Sequence, residues 1–404
     1  MKPSQDAHLD NDVFACPASG EPLKDAGHQL VGASSTYPKV SDIPWLFPDP
    51  KHVLANWRER ADRLLQEYAS EITDLKETIK ESSSTLTKQR LENIRTLKIQ
   101  QLEMLKRILE PMKPGTKLSL PKKSAFGYRL PFSQGLLGYF PNIARDWGKG
   151  AEHADLENQT LFDTTFQALK AADSTIDAVG TSKRILVLGS GASRLAYDLA
   201  IRLPNSTVVA FDLNPVLLLA AKSINDGEKL KAVTFSASPR DRMNPGQSIE
   251  LVAPKGNASN LKFVFGDVYA LPFQVETFDV CITPWLVDIL PRRFSELANS
   301  IRRVLRPKGH WINCGAWFFN FQNEADNISL KEAEEIGLAL GWSPLSSSLV
   351  ETPYLQSPVD NHRRFETMTV FTWQKIEGDS TKQVATDAPT IDDRIDWIRD
   401  TNLP

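Results

Sequence analysis

Gly189 and Gly191 close the apolar run 184–188 and precede Leu195, Ala196, Leu199 and Ala200, whose spacing is that of a buried helix face. Strand, tight turn and helix in that order form a nucleotide-binding turn. A residue without a Cβ takes positive φ there and lets the backbone approach a ligand, while the first N–H groups of the helix point towards it. Such a turn calls for a ribose-recognising carboxylate roughly twenty residues later, at the end of the next strand. Asp212 stands there, after the run 207–211. A Gly-x-Gly pair alone is a weak signal; this one gains weight from the strand before it, the helix after it and the acidic strand end beyond.

The spacing also discriminates between nucleotides. A dinucleotide turn continues to a third Gly or Ala, where the helix packs beneath a pyrophosphate. Ser193 and Arg194 occupy that stretch here, so no diphosphate cradle is evident, and S-adenosylmethionine, which has no phosphate, fits better. Three more strands are expected at 261–265, closed by Gly266 and Asp267, at 277–283, and at 310–313, after a helical stretch 294–305 and the turn Arg306-Pro307-Lys308-Gly309. This order resembles the class I methyltransferase core, an α/β Rossmann-like sheet with helices on both faces, including its Leu-(Lys/Arg)-Pro-Gly-Gly turn, here Leu305 to Gly309. The resemblance implies that Asp267 and Val268 lie on the adenine side of a cofactor site otherwise built from Gly189, Gly191, Arg194, Asp212 and Asn214.

A narrower resemblance rests on short motifs in a fixed order. Arg145-Asp146-Trp147, Gly150-Ala151-Glu152, the Gly-rich turn with Arg194-Leu195-Ala196, Asp288 in an apolar segment and Trp311-Ile312-Asn313-x-Gly315 together resemble the carnosine N-methyltransferase family, from about residue 91 to residue 375. The resemblance implies that Arg145, with Asn142 one turn earlier, reaches the cofactor. It also implies that Asp288 serves the methyl acceptor, as catalytic carboxylate and substrate contact, with Trp317, Asn320 and Phe365 around the substrate. Two positions depart from the family: Asn320-Phe321 replaces His-Phe, and Phe365 precedes Glu366 in place of Tyr. The departures point away from carnosine itself, towards a related imidazole or another nitrogen nucleophile. For an imidazole, a carboxylate bonded to one ring N–H fixes the tautomer and makes the other nitrogen more basic. Asp288 is placed at the start of the helix after the fourth strand, where a plain helix N-cap is the competing reading. Trp285, Trp317, Phe318, Phe319 and Phe365 are read as an apolar wall, with ordinary core packing as the alternative. His362, Arg363 and Arg364 form either a fork for a substrate carboxylate or a solvated turn.

The elements that must hold these residues are spread over 404 residues, enough for two or three domains. A net charge of -3 argues against nucleic acid as a partner through overall charge. The three cysteines, Cys16, Cys281 and Cys314, lack ligand spacing, so neither a disulfide framework nor a metal site is expected. No apolar leader precedes residue 13 and no run is long enough to span a membrane, so a soluble, cytoplasmic protein is expected.

Residues 1–50 resemble the small zinc-ribbon-like domain of the activator subunit of tRNA and release-factor methyltransferases, through Cys16-Pro17, Leu23, Tyr37-Pro38, Ile43-Pro44 and Leu46. With one cysteine of the metal set left, this unit is expected to hold without zinc. In 51–150, Leu54, Trp57, Ala61, Leu64, Tyr68, Ile72, Leu75 and Ile79 step by threes and fours, and Leu91, Ile94, Leu97, Leu102, Leu105 and Ile108 follow after Ser82-Ser83-Ser84. A helical hairpin docked on the core is favoured over a homodimer seam, and its basic face of Lys88, Arg90, Arg95, Lys98, Lys106 and Arg107 over an RNA site. The methyltransferase domain is placed at 151–375, with 234–260 as an insertion or lid, and 376–404 as a polar tail carrying Ile391, Ile395, Trp397 and Ile398. The expected activity is methyl transfer to an imidazole-bearing small molecule or peptide. Methylation of another small nucleophile or of tRNA or protein, and a non-catalytic scaffold, are the alternatives.

Overall fold

The computed structural model describes residues 13–113, 136, 138–148, 152–236, 238–357 and 359–377. Gly150, Ala151, the side chain of Glu152 and the tail residues Ile391, Ile395, Trp397 and Ile398 lie outside what is described.

Four short strands come first, β1 (Lys24–Asp25), β2 (Gln29–Val31), β3 (Thr36–Val40) and β4 (Ile43–Leu46), each antiparallel to the one before. Then come α1 (Pro50–Glu81) and α2 (Thr85–Leu109). Asp49 caps α1 by accepting from His52 N at 3.1 Å, with Pro50 supplying the fixed φ of the first turn. Ser84 caps α2 in the same way. The seam read from sequence is buried mainly at the base of this hairpin, where Leu54, Trp57 and Ala61 share the main core with Leu105, Ile108 and Leu109; nearer the turn only Leu91 is buried. On the basic face, Lys98 pairs with Glu71, Arg95 with Glu92 and Arg107 with Glu228.

The remainder is built from α3 (Phe140–Trp147), α4 (Glu152–Ala172), β5 (Arg184–Leu188), α5 (Arg194–Arg202), β6 (Thr207–Asp212), α6 (Pro215–Asn225), β7 (Leu230–Phe235), β8 (Gly246–Leu251) and β9 (Leu261–Gly266). It continues through β10 (Phe278–Pro284), α7 (Phe294–Val304), β11 (Leu305–Gly315), α8 (Leu330–Ala339), β12 (Trp342–Pro353) and β13 (Phe365–Lys375). The sheet runs β1-β2-β3-β4-β9-β6-β5-β10-β11-β13-β12. From β4 to β11 every pairing is parallel, and β13 runs antiparallel to both β11 and β12. This is an α/β sheet of the kind expected from the class I resemblance, and its strand order reverses at β5, where open α/β sheets bind ligands.

Alternation along the central strands builds two cores. Ile185, Val187, Val208 and Ala210 face one side with α2 to α6, while Leu186, Leu188, Val209 and Phe211 face the other with α7 and the N-terminal strands. Those N-terminal strands are joined to the sheet itself: β4 pairs with β9 at Trp45↔Phe265 and Leu46↔Gly266. Among the described residues no group of three or more His, Cys, Asp or Glu is placed to hold a metal. Cys16 Sγ instead lies 2.9 Å from the Tyr37 hydroxyl. No described helix is long and apolar enough to cross a membrane.

The stretch 234–260 differs from the expected lid. It carries the end of β7 and all of β8, which pair from Leu230↔Leu251 to Phe235↔Gly246. The hairpin is clasped by α2, where Gln101 Oε1 accepts from Val233 N at 2.9 Å and Gln100 Nε2 donates to Ala232 O at 3.2 Å. Of its buried residues, Leu230, Ala232 and Val233 precede the polar stretch and only Leu251 of β8 falls within it, so most of the apolar signal that marks a strand lay outside the segment.

Trp45 fixes the N-terminal strands to the core: its side chain is fully buried, its Nε1 donates to Pro50 O at 3.1 Å, and its ring lies 5.0 Å from that of Phe265. Trp45→Ala should cost about 3–5 kcal/mol. Denaturant unfolding should show the loss in one main transition, because the strand belongs to the common sheet.

Candidate active site

The Gly-rich turn takes left-handed φ at every second residue: 62° at Gly189, 57° at Gly191 and 69° at Ser193. A Cβ on Gly189 would stand 2.6 Å from Leu286 Cδ1, so the chain leaving β10 crosses directly against the turn. At Gly191 there is room, and the nearest atom to such a Cβ is Asn142 Nδ2 at 3.8 Å. Gly191 N donates to Asp212 Oδ2 and Asn214 N to Asp212 Oδ1, both at 2.9 Å. The backbone thus aims both carboxylate oxygens, and each keeps a lone pair for a ligand. Burial pushes the Asp212 carboxyl up to about 6, against those backbone hydrogen bonds. Asn214 caps α6 through its side-chain oxygen, accepting from Val216 N at 3.0 Å, and its Nδ2 is buried without a partner. An open glycine, an aimed carboxylate and an orphaned amide fit an adenosine group.

Helix α3 closes over this turn. Trp147 Nε1 donates to Ala192 O at 2.8 Å, Arg194 N donates to Asp146 Oδ2 at 3.4 Å, and Arg194 Nη1 donates to Asp146 O at 2.8 Å. Arg194 Nε in turn pairs with Asp198 at 2.8 Å. Arg145 makes no surface ion pair: its side chain is 10% exposed and pairs with Asp146 at 2.6 Å and Glu157 at 3.0 Å. Burial by itself depresses the Arg145 pKa, and the two carboxylates outweigh it and raise it. For Glu157 burial wins: its pKa is raised, with Arg145 opposing.

Asp146 and Glu157 were missed as site residues. Asp146 stood inside the Arg145-Asp146-Trp147 motif and could have been found there. Glu157 lies on α4 with nothing in its spacing to single it out.

On the next strand, Asp212 pairs in register with Phe265, so Asp267 emerges two residues later at the same edge. Its Oδ1 accepts from Tyr269 N at 2.9 Å, capping a 3-10 turn (Val268–Ala270) whose first residue, Val268, is buried. Asp288 is not at a helix start as expected. It is the middle residue of a 3-10 turn (Val287–Ile289) preceded by Leu286, which makes no side-chain cap, and α7 begins only at Phe294 with Arg293 before it. Pro291, two residues before Arg293, disfavours helix at Leu290, which explains the delay.

The aromatic wall also differs. Trp317 packs into the α7-side core against Phe294, Phe319 and Phe371 and donates its N–H to Ile328 O at 3.0 Å. Phe319 and Phe321, flanking the half-buried Asn320, are likewise core, whereas Phe318 and Phe365 are exposed. Trp285, by contrast, turns to the α3 and α4 side, at φ 49°, with its ring 4.7 Å from that of Tyr354 and its Nε1 buried without a partner. Arg364 lies 4.8 Å over the Tyr354 ring and pairs with Glu366, Arg363 donates to Gln356 Oε1 at 3.1 Å, and His362 is exposed.

The family model described as Carnosine N-methyltransferase matches residues 135–375, more than half of the chain. A carnosine N-methyltransferase of Schizosaccharomyces pombe is 24% identical over 242 residues, 53% of this chain and 63% of that protein. One of Rattus norvegicus is 23% identical over 172 residues, 37% of this chain and 40% of that protein. The chain therefore spans less than two thirds of the length of either relative. The solved antibiotic-resistance methyltransferase Kmr overlaps 52% of this chain and 93% of its own at 18% identity and a TM-score of 0.33.

Asp146 pairs with its α3 neighbour Arg145, joins α3 to the start of α5, and is 1% exposed. Asp146→Ala should destabilise the fold by about 3–5 kcal/mol, the scale for breaking a buried pair from one side. Urea denaturation at neutral pH measures it, and a loss below about 1 kcal/mol would mean that Glu157 alone satisfies Arg145.

Proposed function

The chain belongs to the carnosine N-methyltransferase family, and from that premise we propose that it is an S-adenosylmethionine-dependent N-methyltransferase acting on an imidazole-containing small molecule or peptide of the histidine or carnosine type. The observation that carries this reading is the charge around the Gly-rich turn. Asp212 accepts from Gly191 N of that turn and Asp146 from Arg194 N just after it, and Arg145 is shared between two carboxylates. Carboxylates so placed suit a sulfonium cation and oppose a pyrophosphate, by the sign of the Coulomb interaction.

When bound, the cofactor supplies an electrophilic methyl group on a positively charged sulfur. The work of the protein is then alignment and exclusion of water. Asp212 accepts the ribose hydroxyls, Asn142 and Asn214 stand beside the turn as polar partners, and Asp267 with Val268 takes the adenine side. Arg145 keeps guanidinium N–H groups beyond the two given to Asp146 and Glu157 and offers them to the methionine carboxylate. Asp288 would accept the N–H of the acceptor's ring, hold the tautomer that leaves the other nitrogen free to attack, and take up the ring proton released on methylation. Trp285 and Tyr354 take the walling role expected of Trp317, and Asn320 and Phe365 mark where the acceptor pocket departs from the family.

Turnover of carnosine, histidine, histidine-containing peptides and non-imidazole amines, compared with labelled cofactor, tests the reading. Carnosine should be a poor substrate and a related imidazole a better one; label in RNA or protein alone would overturn the assignment. Asp288→Asn should lower turnover on the order of a hundredfold while leaving cofactor affinity nearly unchanged, and full activity in that variant would remove Asp288 from the chemistry.

Cofactor affinity should also depend on pH through Asp212. Only the ionised carboxylate accepts from both ribose hydroxyls, so affinity should be full above pH 6 and fall as the pH drops through about 6. The linked effect on folding has the opposite sign. A carboxyl raised from 3.8 to about 6 favours the ligand-free fold below 3.8, and that contribution is lost as pH rises through about 6. Calorimetric titration of S-adenosylhomocysteine between pH 5 and 8 checks the first effect, with Asp212→Asn expected to flatten the profile.

A further inference from the structure

We propose that Glu157 is a positioning residue that couples the cofactor end of the site to the segment over its acceptor end, so that a cofactor held by Arg145 orders the chain that follows β12. The inference rests on the reading of Arg145 as a cofactor contact. Glu157 is 2% exposed, and its two oxygens face in different directions. Oε1 accepts from Arg145 Nη1 at 3.0 Å, and Oε2 accepts from Leu355 N at 2.7 Å. One buried carboxylate therefore joins the guanidinium beside the Gly-rich turn to a backbone amide 198 residues later in the chain.

Leu355 is held at φ 45°, a conformation that a side chain of its kind adopts only when its surroundings impose it. Glu157 supplies part of that constraint. Tyr354, the preceding residue, donates its N–H to Arg364 O at 3.0 Å and lies against Trp285, which is itself at φ 49°. Trp285 leads through Leu286, the residue that touches Gly189, into the turn carrying Asp288. Two left-handed non-glycine residues thus stand on either side of one ring contact, and Glu157 anchors one of them to Arg145.

The direction of the coupling follows from the donor count. A guanidinium has five N–H donors in a rigid plane, of which Asp146 and Glu157 take one each through Nε and Nη1. A carboxylate ligand on the remaining donors fixes the plane, and the fixed plane holds Glu157 in place. Glu157 then keeps its acceptor on Leu355 N. Cofactor binding should therefore precede and favour acceptor binding, with no new contact between cofactor and the 354–357 segment.

Amide hydrogen exchange of the whole chain, with and without saturating S-adenosylhomocysteine, tests this. In the wild-type protein the ligand should slow exchange at Leu355 by tenfold or more. In Glu157→Gln the amide oxygen can still accept from Leu355 N, but the charge towards Arg145 is gone, and the extra protection at saturation should fall to less than threefold. Ligand binding seen by calorimetry without added protection at 354–357 in the wild type overturns the coupling and leaves the cofactor reading intact. Equal protection in Glu157→Gln overturns the role of Glu157. Absence of S-adenosylhomocysteine binding overturns the cofactor reading and this inference with it.

Discussion

A guanidinium buried between two carboxylates is the constraint on which the rest of this site depends. An arginine removed from water must be paired, and pairing it on two sides demands that two helices arrive together. Asp146 comes from α3 and Glu157 from α4. Asp146 then reaches the first turn of α5, and Glu157 the chain after β12. One cluster of charge thereby sets the distance between a helix cap, a glycine turn and the end of a strand far away in sequence.

The sheet provides the rigid frame behind that cluster. Strand order reverses at β5, so the ends of β5, β6, β9 and β10 open a crevice in which Gly189, Asp212, Asp267 and Leu286 meet or neighbour one another. The N-terminal strands extend the same sheet past β9, and their aromatic residues fill the space beneath its far edge. A piece of chain that resembles a separate small module is thus held by backbone pairing and by Trp45.

Acid residues around the crevice give it a preference by charge as well as shape. Asp212 is partly desolvated, which raises its pKa, yet it is aimed by two backbone donors that favour its ionised form. Under the proposed reading the acceptor side is framed by Trp285 and Tyr354, with Asp288 in the short turn that follows. Leu286, between Trp285 and that turn, packs against Gly189 and joins the two parts of the crevice.

Much of this was legible in the chain because local chemistry dictates it. Positive φ at Gly189 and Gly191, the acidic end at Asp212, the apolar runs of the central strands, and the paired helices broken at Ser82 to Ser84 all follow from residue type and spacing, which short-range sterics and hydrogen bonding make informative. The faces of aromatic side chains were not legible. Trp285 and Trp317 follow neighbouring strands in similar apolar settings, and which one meets the site depends on which core each strand end turns towards. Asp288 reads as a helix start until the Pro-delayed turn is seen, and 234–260 reads as an insertion or lid because all the buried residues of its hairpin but Leu251 lie before it. Glu157 left no trace at all, because its partners, Arg145 on the neighbouring helix and the Leu355 amide 198 residues on, are set by packing that no local spacing announces. The sequence by itself determined the sheet, the turn and the kind of ligand they suit; the tertiary structure decided which charges pair, because burial makes pairing obligatory and only three-dimensional proximity says with whom.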